Sequence, residues 1–283
     1  MAFAVLVGGL LAFQAASLVA LVVLAGVLDG TDAAGVLEAL GAGRAPRAHA
    51  LLGANAVGQA VGLGLVAWAA ARLHTPRAAA FLRLRPARTS DAALAVGGLV
   101  AAIPAVEWMS RWGARVPLPT WLREAEAAQE AFLGALLVDE GPLALALKIA
   151  AIAAVPAVFE ELFFRGALQR FAVRAAGVAG GLVLTALLFS AFHVRASQAL
   201  PLFAVGLYLG YAVHATGSLY GSMAAHFVYN AVLVVLATFA GAGGELPPLP
   251  AWTAGASAAG VAVVLVTLQR RHARAGAHAA AVY

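Results

Sequence analysis

Six polar side chains that lie in or beside apolar stretches have the types and the spacing that catalysis requires. They occur in three segments, as Glu160, Glu161 and Arg165, then His193, then His226 and Asn230. A charge at the centre of a bilayer costs about 2.5–3.5 kcal/mol even on the mildest scale. One buried histidine would be an ordinary packing residue, but six such groups in so short a stretch indicate a functional site.

Helix geometry separates the roles of these side chains. An α-helix turns by about 100° per residue, so Arg165 lies on the face of Glu161 and well away from that of Glu160. The spacing therefore predicts a salt bridge between Glu161 and Arg165, and it leaves Glu160 without a local cation. His226 and Asn230 are also four residues apart and share one face. We expect them to present two polar groups to the same point.

The composition indicates what kind of structure must position these groups. Of the 283 residues, 63% are hydrophobic and only 11% are charged, and the mean hydropathy is +0.90. A soluble domain carries about 25% charged residues. We therefore predict an all-α integral membrane protein, which excludes a nucleic-acid-binding module, a disordered protein and a secreted disulfide scaffold. The chain has no cysteine, so thiol nucleophiles and cysteine-ligated metals are excluded too.

Apolar stretches long enough to cross a bilayer divide the chain. A spanning helix needs about 20 apolar residues. About eight such transmembrane helices are predicted, at residues 2–28, 50–71, 92–109, 143–164, 179–193, 199–214, 219–240 and 251–268. Residues 1–140 hold the N-terminal spans and an interfacial helix. Residues 141–245 form the catalytic core, with the active site inside the helical bundle, and residues 246–283 hold the final span and a basic tail.

The interfacial helix is predicted in the gap between the third and fourth spans. Pro117 and Pro119 precede Thr120, which is a suitable helix N-cap. Apolar residues then alternate with charged positions, at Trp121, Leu122, Phe132, Leu133, Leu136 and Leu137. This amphipathic pattern is typical of a helix that lies in the membrane interface, although an ordinary surface helix would show it as well.

The uneven distribution of arginines predicts the orientation in the membrane. They cluster after the second span and in the C-terminal tail, as Arg72, Arg77, Arg83, Arg85, Arg88, Arg270, Arg271 and Arg274. Most acidic residues lie in the loops 29–48 and 110–142, as Asp29, Asp32, Glu38, Glu124, Glu126, Glu130, Asp139 and Glu140. We expect both termini to be cytoplasmic. The bias towards alanine, glycine and arginine favours a bacterial plasma membrane.

The candidate residues can meet only if they lie at similar depths. A turn at about 176–180 between the fourth and fifth spans would put Glu160 and His193 about 20–25 Å from the same hairpin tip, at about 1.5 Å per helical residue. His226 lies closer to its own turn, near Thr216 and Gly217. It reaches the same layer only if the first hairpin protrudes by about 10 Å.

The three segments resemble the CPBP family of intramembrane proteases, which includes the type II CAAX prenyl endopeptidase and bacterial relatives linked to bacteriocin self-immunity. The family is marked by Glu-Glu-x-x-x-Arg, Phe-x-x-x-His and His-x-x-x-Asn/Asp on successive membrane helices. Here the motifs read Glu160, Glu161 and Arg165, then Phe189 and His193, then His226 and Asn230. The resemblance covers residues 150–240.

The resemblance implies hydrolysis of peptide bonds in membrane-associated peptides or proteins. In this reading Glu160, assisted by His193, activates a water. His226 and Asn230 donate hydrogen bonds to the developing oxyanion, while Glu161 and Arg165 support the shape of the site. A prenylated CAAX tail is the substrate of eukaryotic and archaeal relatives, whereas a bacterial chain favours a more general membrane-proximal peptide.

Other chemistries use some of the same atoms. A zinc ion could be held by Glu160, His193 and His226, since two histidines and a carboxylate are a known catalytic set. We favour chemistry without a cofactor, because the chain has no His-Glu-x-x-His run and asparagine is a poor zinc ligand. A serine–histidine dyad would use Ser190, Ser218 or Ser222. A proton-coupled transporter or a catalytically silent scaffold is the alternative outside proteolysis.

Overall fold

Membrane-length helices account for most of the protein, as the composition predicts. The computed structural model describes residues 2–41, 48–137, 141–240 and 249–281, and in these ranges the regular structure is helical, without strands. The α-helices are α1 (Ala2–Asp29), α2 (Ala33–Gly41), α3 (Ala48–Gly58), α4 (Val66–His74), α5 (Ala78–Phe81), α6 (Thr89–Ala101), α7 (Ile103–Gly113), α8 (Thr120–Leu137), α9 (Pro142–Lys148), α10 (Val155–Glu160), α11 (Gln169–Phe192), α12 (Ala199–Thr216), α13 (Leu219–Ala240) and α14 (Ala251–Ala281). Three π-helical stretches interrupt them, namely π1 (Gln59–Leu65), π2 (Ile149–Ala154) and π3 (Glu161–Leu168). The protein is an integral membrane helical bundle.

Seven helices of the described residues are long and apolar enough to cross a membrane, where the sequence predicts about eight. The difference arises because the fourth and fifth predicted spans lie in one helical run, Pro142–Phe192. That run reverses at Gly177, whose φ of 70° and ψ of 178° are not helical and are accessible to glycine alone among common residues. The rings of Phe164 and Phe189 meet across the two arms, with centroids 5.3 Å apart. The predicted turn at 176–180 is thus confirmed.

The hairpin that Gly177 creates extends beyond the neighbouring turn between α12 and α13. The Nδ1 atom of His226 lies 3.1 Å from Glu161 Oε1, so these two residues share one level of the bundle. Glu161 is farther along the chain from Gly177 than His226 is from Gly217. At about 1.5 Å per residue the difference corresponds to a protrusion of about 10 Å, as the positions of the motifs predict.

Glycines let the first spans approach the core closely. A side chain at Gly62 in π1 would collide with the backbone of Phe13 in α1. A methyl at Gly64 would lie 2.6 Å from the ring of Phe159 in α10. These contacts press α1 and π1 against the stretch that carries the two motif glutamates. A cluster of buried apolar side chains forms around the contact, with Leu63, Phe163 and Phe164 fully buried.

The predicted helix between the third and fourth spans is present as α8, which begins at Thr120. Its contacts tie it to the loop that follows α11. The backbone N–H of Ser197 donates to Glu126 Oε1 at 3.0 Å, and Arg195 pairs with Glu130 at 2.7 Å. The side chains of Phe132, Leu133, Leu136 and Leu137, and the loop acids Asp139 and Glu140, lie outside the described residues. Placement in the membrane interface stays a prediction.

The contact with the segment that follows α11 changes the ionisation of the Glu126 carboxyl. Burial by itself would raise its pKa, but hydrogen bonds from Ser197 and from the Ala196 backbone, together with the charge of Arg195, bring the pKa below its usual value. The ionised carboxylate therefore holds α8 against the segment that follows His193.

Arginines collect at one end of the bundle, which we call the basic end and define by the loop 75–88, the hairpin tip at Gly177 and the turn at Gly217. Arg83 donates to the carbonyl of Val213 at 3.1 Å, and Arg85 donates to the carbonyl of Gly217 at 2.7 Å. Arg271 near the end of the last span pairs with Asp91 at 2.6 Å. Three of the predicted cytoplasmic arginines thus make their contacts at one end of the bundle.

Candidate active site

A buried ion pair stands at the start of π3. Arg165 Nη1 lies 2.8 Å from Glu161 Oε1, and the two side chains are 1% and 0% exposed. The predicted salt bridge is present, although it forms across a π-helical turn. Glu161 has two further partners, since His226 Nδ1 lies 3.1 Å from Oε1 and the hydroxyl of Ser222 donates to Oε2 at 2.5 Å. Both carboxylate oxygens of Glu161 are therefore occupied.

Arg165 reaches two more groups on neighbouring helices. Its Nη2 donates to the carbonyl of Gly206 at 3.2 Å, and its guanidinium lies 4.2 Å from the centre of the Phe189 ring. The absence of a side chain at Gly206 lets α12 pack closely on α11, because a Cβ there would lie 3.1 Å from Phe189 and 3.2 Å from Ala186. The ion pair is thus bound to α11 and α12 as well as to α13.

The two histidines lie on either side of this network, and the Phe189 ring is a neighbour of both. Its centroid is 4.7 Å from the imidazole of His193 and 6.1 Å from that of His226. The Nδ1 of His193 lies 2.9 Å from the carbonyl oxygen of Phe189, which can only accept, so the proton is assigned to Nδ1. The same reasoning assigns a proton to Nδ1 of His226, which faces the Glu161 carboxylate. In both rings Nε2 remains for a reacting molecule.

Glu160 has surroundings unlike those of Glu161. It ends α10 and is 5% exposed, and its Oε2 is buried without a hydrogen-bond partner. An unsatisfied buried acceptor is unfavourable by about 1–3 kcal/mol, and more for a charged group. Two adjacent glutamates therefore differ sharply, since one is saturated by partners and the other keeps a free oxygen.

Asn230 lies one turn beyond His226 on α13, as its spacing predicts. Its Nδ2 donates to the carbonyl of Ile152 in π2 at 3.3 Å. The two side chains that the sequence assigns to one face thus have different partners, Glu161 for His226 and the π2 backbone for Asn230. One amide hydrogen of Asn230 is left for another acceptor.

Several members of the network are absent from the sequence-based set of site residues. Ser222 precedes His226 by one turn, and Gln169 follows Arg165 by one turn. Gln169 donates to the carbonyl of Gly210 at 3.0 Å, which repeats the contact of Arg165 with Gly206 one turn further along both helices. The four-residue spacing of these polar groups and of the two glycines was the available signal. Gly206 and Gly210 allow close packing of α12, and their carbonyls accept these hydrogen bonds.

The serine alternative finds no geometric support in the described residues. The hydroxyl of Ser190 donates to the carbonyl of Ala199 at 2.8 Å, and that of Ser218 donates to the carbonyl of Arg85 at 2.5 Å. Ser222 donates to Glu161. None of the three hydroxyls is hydrogen-bonded to an imidazole, which a serine–histidine dyad requires.

The zinc alternative requires Glu160, His193 and His226 to direct their donor atoms at one point. Within the part of the chain that the structure describes, no three histidine, aspartate or glutamate side chains are grouped so that they could hold a metal ion. The three residues do not fit a zinc site in this arrangement, and no step below is assigned to a metal.

A comparison with known families matches a stretch of the chain that contains the candidate residues. Residues 142–232 match the family model described as Type II CAAX prenyl endopeptidase Rce1-like. No curated protein and no solved structure matches the chain. The matched range begins at α9, ends within α13 and includes all six candidate residues, and it overlaps the stretch 150–240 in which the sequence resembles CPBP proteases. Residues 142–232, about a third of the chain, are therefore similar to the Rce1-like type II CAAX prenyl endopeptidases, a family of proteases that acts on membrane-associated proteins.

Proposed function

We propose that the protein is an intramembrane endopeptidase that hydrolyses membrane-associated peptides or proteins with a water activated by Glu160 and His193. The observation that carries this proposal is the contrast between the two adjacent glutamates. Glu161 is held by Arg165, His226 and Ser222, whereas the buried Oε2 of Glu160 has no partner. A carboxylate with a free oxygen can act as a general base, whereas one whose oxygens are both hydrogen-bonded can only support the structure of the site.

Glu160 and His193 are matched in depth. Each lies about 16 residues from Gly177, on opposite arms of the hairpin. In the proposed first step Glu160 takes one proton from the water, and the Nε2 lone pair of His193 accepts a hydrogen bond from the other. The water oxygen then forms a bond to the scissile carbonyl carbon.

His226 stabilises the negative charge that develops on the carbonyl oxygen. Its Nδ1–H is bonded to the Glu161 carboxylate, and the proposed role requires the ring to carry a second proton, as an imidazolium. An imidazolium keeps a second donor at Nε2, and the remaining amide hydrogen of Asn230 adds another. The proton on Glu160 then passes to the amine nitrogen as the carbon–nitrogen bond breaks, which releases an amine and a carboxylic acid.

The activity is tested with purified protein in liposomes that contain membrane-associated peptides with and without a prenyl group. Mass spectrometry identifies the cleavage products. We expect the wild type to cleave and Glu160→Gln to lose at least about 100-fold in rate, since general acid–base catalysis contributes about 100- to 10,000-fold. Glu107→Gln is the matched control, because Glu107 is exposed and forms an ion pair with Arg111 on α7.

Two outcomes would contradict the proposal. If the wild type cleaves nothing while Glu160→Gln abolishes ion or solute flux, the protein is a transporter and not a protease. If a chelator stops cleavage and zinc restores it, the water is activated by a metal and not by Glu160 and His193 alone. The proposed orientation, with the basic end and both termini on the cytoplasmic side, follows from the positive-inside rule.

A further inference from the structure

A cavity lies at the basic end, apart from the candidate active site. It has a volume of about 440 Å³ and is lined by His74, Thr75, Arg77, Ala80, Phe81, Arg170 and Arg174. These residues come from the end of α4, from α5 and from the protruding arm of α11. None of the six candidate catalytic residues belongs to this lining.

The charge of this cavity is positive and uncompensated. Its lining holds three arginines and a histidine but no carboxylate. Among the residues that the structure describes, no aspartate or glutamate forms an ion pair with these arginines. The lining also has a neutral hydroxyl at Thr75, whose oxygen accepts the backbone N–H of Arg77 at 3.2 Å and whose own hydrogen remains available.

The guanidinium groups are held in place by aromatic partners. Arg170 and Arg174 lie over the ring of Phe81, at 5.0 and 5.8 Å from its centroid. Nη1 of Arg174 also contacts Nε2 of His74. Cation–π contacts fix the position of a guanidinium without neutralising its charge, so several hydrogen-bond donors stay free to bind an anion.

Repulsion within the cluster is visible at a neighbouring residue. Burial, with the positive charges of Arg170 and Arg85, lowers the pKa of Arg83 to about 10. A bound anion would reduce this repulsion. The cavity also adjoins His74, where a membrane span ends. Lipid headgroups lie at the level of such span ends.

We infer that this cavity is a binding site for a phosphate group, supplied by the headgroup of an anionic phospholipid or by free inorganic phosphate. Arginine binds phosphate through paired N–H···O bonds, and a volume of 440 Å³ is within the range of about 300–1,000 Å³ for small-molecule sites. The bound phosphate joins Arg170 and Arg174 on the hairpin to Arg77 in the loop after α4, and so holds the protruding hairpin tip.

The site is tested by thermal unfolding of the full chain in neutral detergent. One arm adds phosphatidylglycerol against phosphatidylcholine, and the other adds inorganic phosphate against chloride at equal ionic strength. We expect the phosphate-bearing additive to raise Tm in a saturable way. The double variant Arg170→Gln, Arg174→Gln should need at least about tenfold more additive, since a charge-assisted hydrogen bond contributes about 1.5–3 kcal/mol.

Arg88→Gln is the matched control, because Arg88 belongs to the same loop and is exposed outside the cavity. It should keep the full response. Without additive, the double variant should be at least as stable as the wild type, since it removes mutual repulsion. Native mass spectrometry of the wild type provides a second measurement that needs no variant, and it should detect one retained phospholipid or phosphate.

The two additives show whether the phosphate group comes from a lipid headgroup or from free inorganic phosphate. A response to phosphatidylglycerol alone supports a lipid headgroup site, and a response to both additives supports a site for the phosphate group of either. No rise of Tm with either additive, together with no retained ligand in native mass spectrometry, would overturn the inference. An equal rise in the wild type and in the double variant would overturn it as well.

Discussion

Replacing Glu161 by glutamine should destabilise the protein far more than the same change at the adjacent Glu160. The Glu161 carboxylate is the anionic partner of Arg165, and both side chains are buried at 0% and 1% exposure. Removing one partner of a buried ion pair costs about 3–5 kcal/mol, because the other charge remains buried without compensation. For Arg165 the carbonyl of Gly206 and the ring of Phe189 would remain, together with the charge of Glu160, which acts on Arg165 without forming a salt bridge with it.

Glu160→Gln is the matched comparison. Oε2 of Glu160 has no hydrogen bond to lose, and the glutamine has nearly the same shape. Exchanging a buried carboxylate for a neutral amide removes the cost of burying a charge. We therefore expect the stability of Glu160→Gln to stay within about 1 kcal/mol of the wild type or to exceed it, while cleavage is lost.

The assay is thermal unfolding in one detergent, followed by tryptophan fluorescence and read beside cleavage activity. A loss of 3–5 kcal/mol in a chain of this size corresponds to a fall in Tm of about 10 °C. In the double variant Glu161→Gln, Arg165→Gln the loss should be smaller than the sum of the single losses, because the unpaired charge is gone. Equal falls in Tm for Glu160→Gln and Glu161→Gln would refute this division of roles.

Three further predictions concern the surroundings of the site. Glu126→Gln should lower kcat with little change in KM, since it releases the segment after His193. The ionised Glu126 of the wild type should stabilise the fold above the unfolded pKa of this carboxyl, and the stabilisation should be lost as pH falls through the lowered folded pKa. An unchanged kcat, or a stability difference between variant and wild type that does not shrink at acid pH, would contradict this. Gly177→Ala should cost about 1–3 kcal/mol in thermal unfolding through backbone strain alone, because no atom lies within 4 Å of the added methyl, and an unchanged Tm would exclude the strained turn. In this cysteine-free chain, Ala114→Cys should react with an impermeant thiol reagent added to intact cells, and Ala79→Cys should not. The reverse labelling pattern would mean that the orientation in the membrane is opposite to the one proposed.

Local features of the site were predictable from the sequence because helix periodicity and chain reach determine them. The pairing of Glu161 with Arg165 follows from their spacing, and the turn at Gly177 follows from the end of one apolar stretch and the start of the next. The π-helical form of π3 was not predictable, since a four-residue spacing fits a wider turn almost as well as an α-helical one. The fourth and fifth predicted spans form one helical run in the structure, because a single glycine reverses the chain without an intervening loop.

Contacts between distant segments could not be derived from spacing. Two hydrogen bonds depend on how α12 and α13 pack against π3. Ser222 donates one to Glu161, and Arg165 donates the other to the carbonyl of Gly206. Lys148 shows the same limit. Its position near the end of an apolar span is typical of a side chain that extends to the membrane surface, but it is buried at 2% exposure.

The origin of the oxygen in the product tests the proposed hydrolysis most directly. A single turnover with excess enzyme is run in water enriched in ¹⁸O, and both the released peptide and the peptide that contains Glu160 are analysed by mass spectrometry. Activation of water by Glu160 and His193 predicts one ¹⁸O in the new C-terminal carboxyl group of the product and none in Glu160. An unlabelled product with ¹⁸O in the Glu160 carboxylate would mean that Glu160 attacks the peptide bond itself, and would contradict the account.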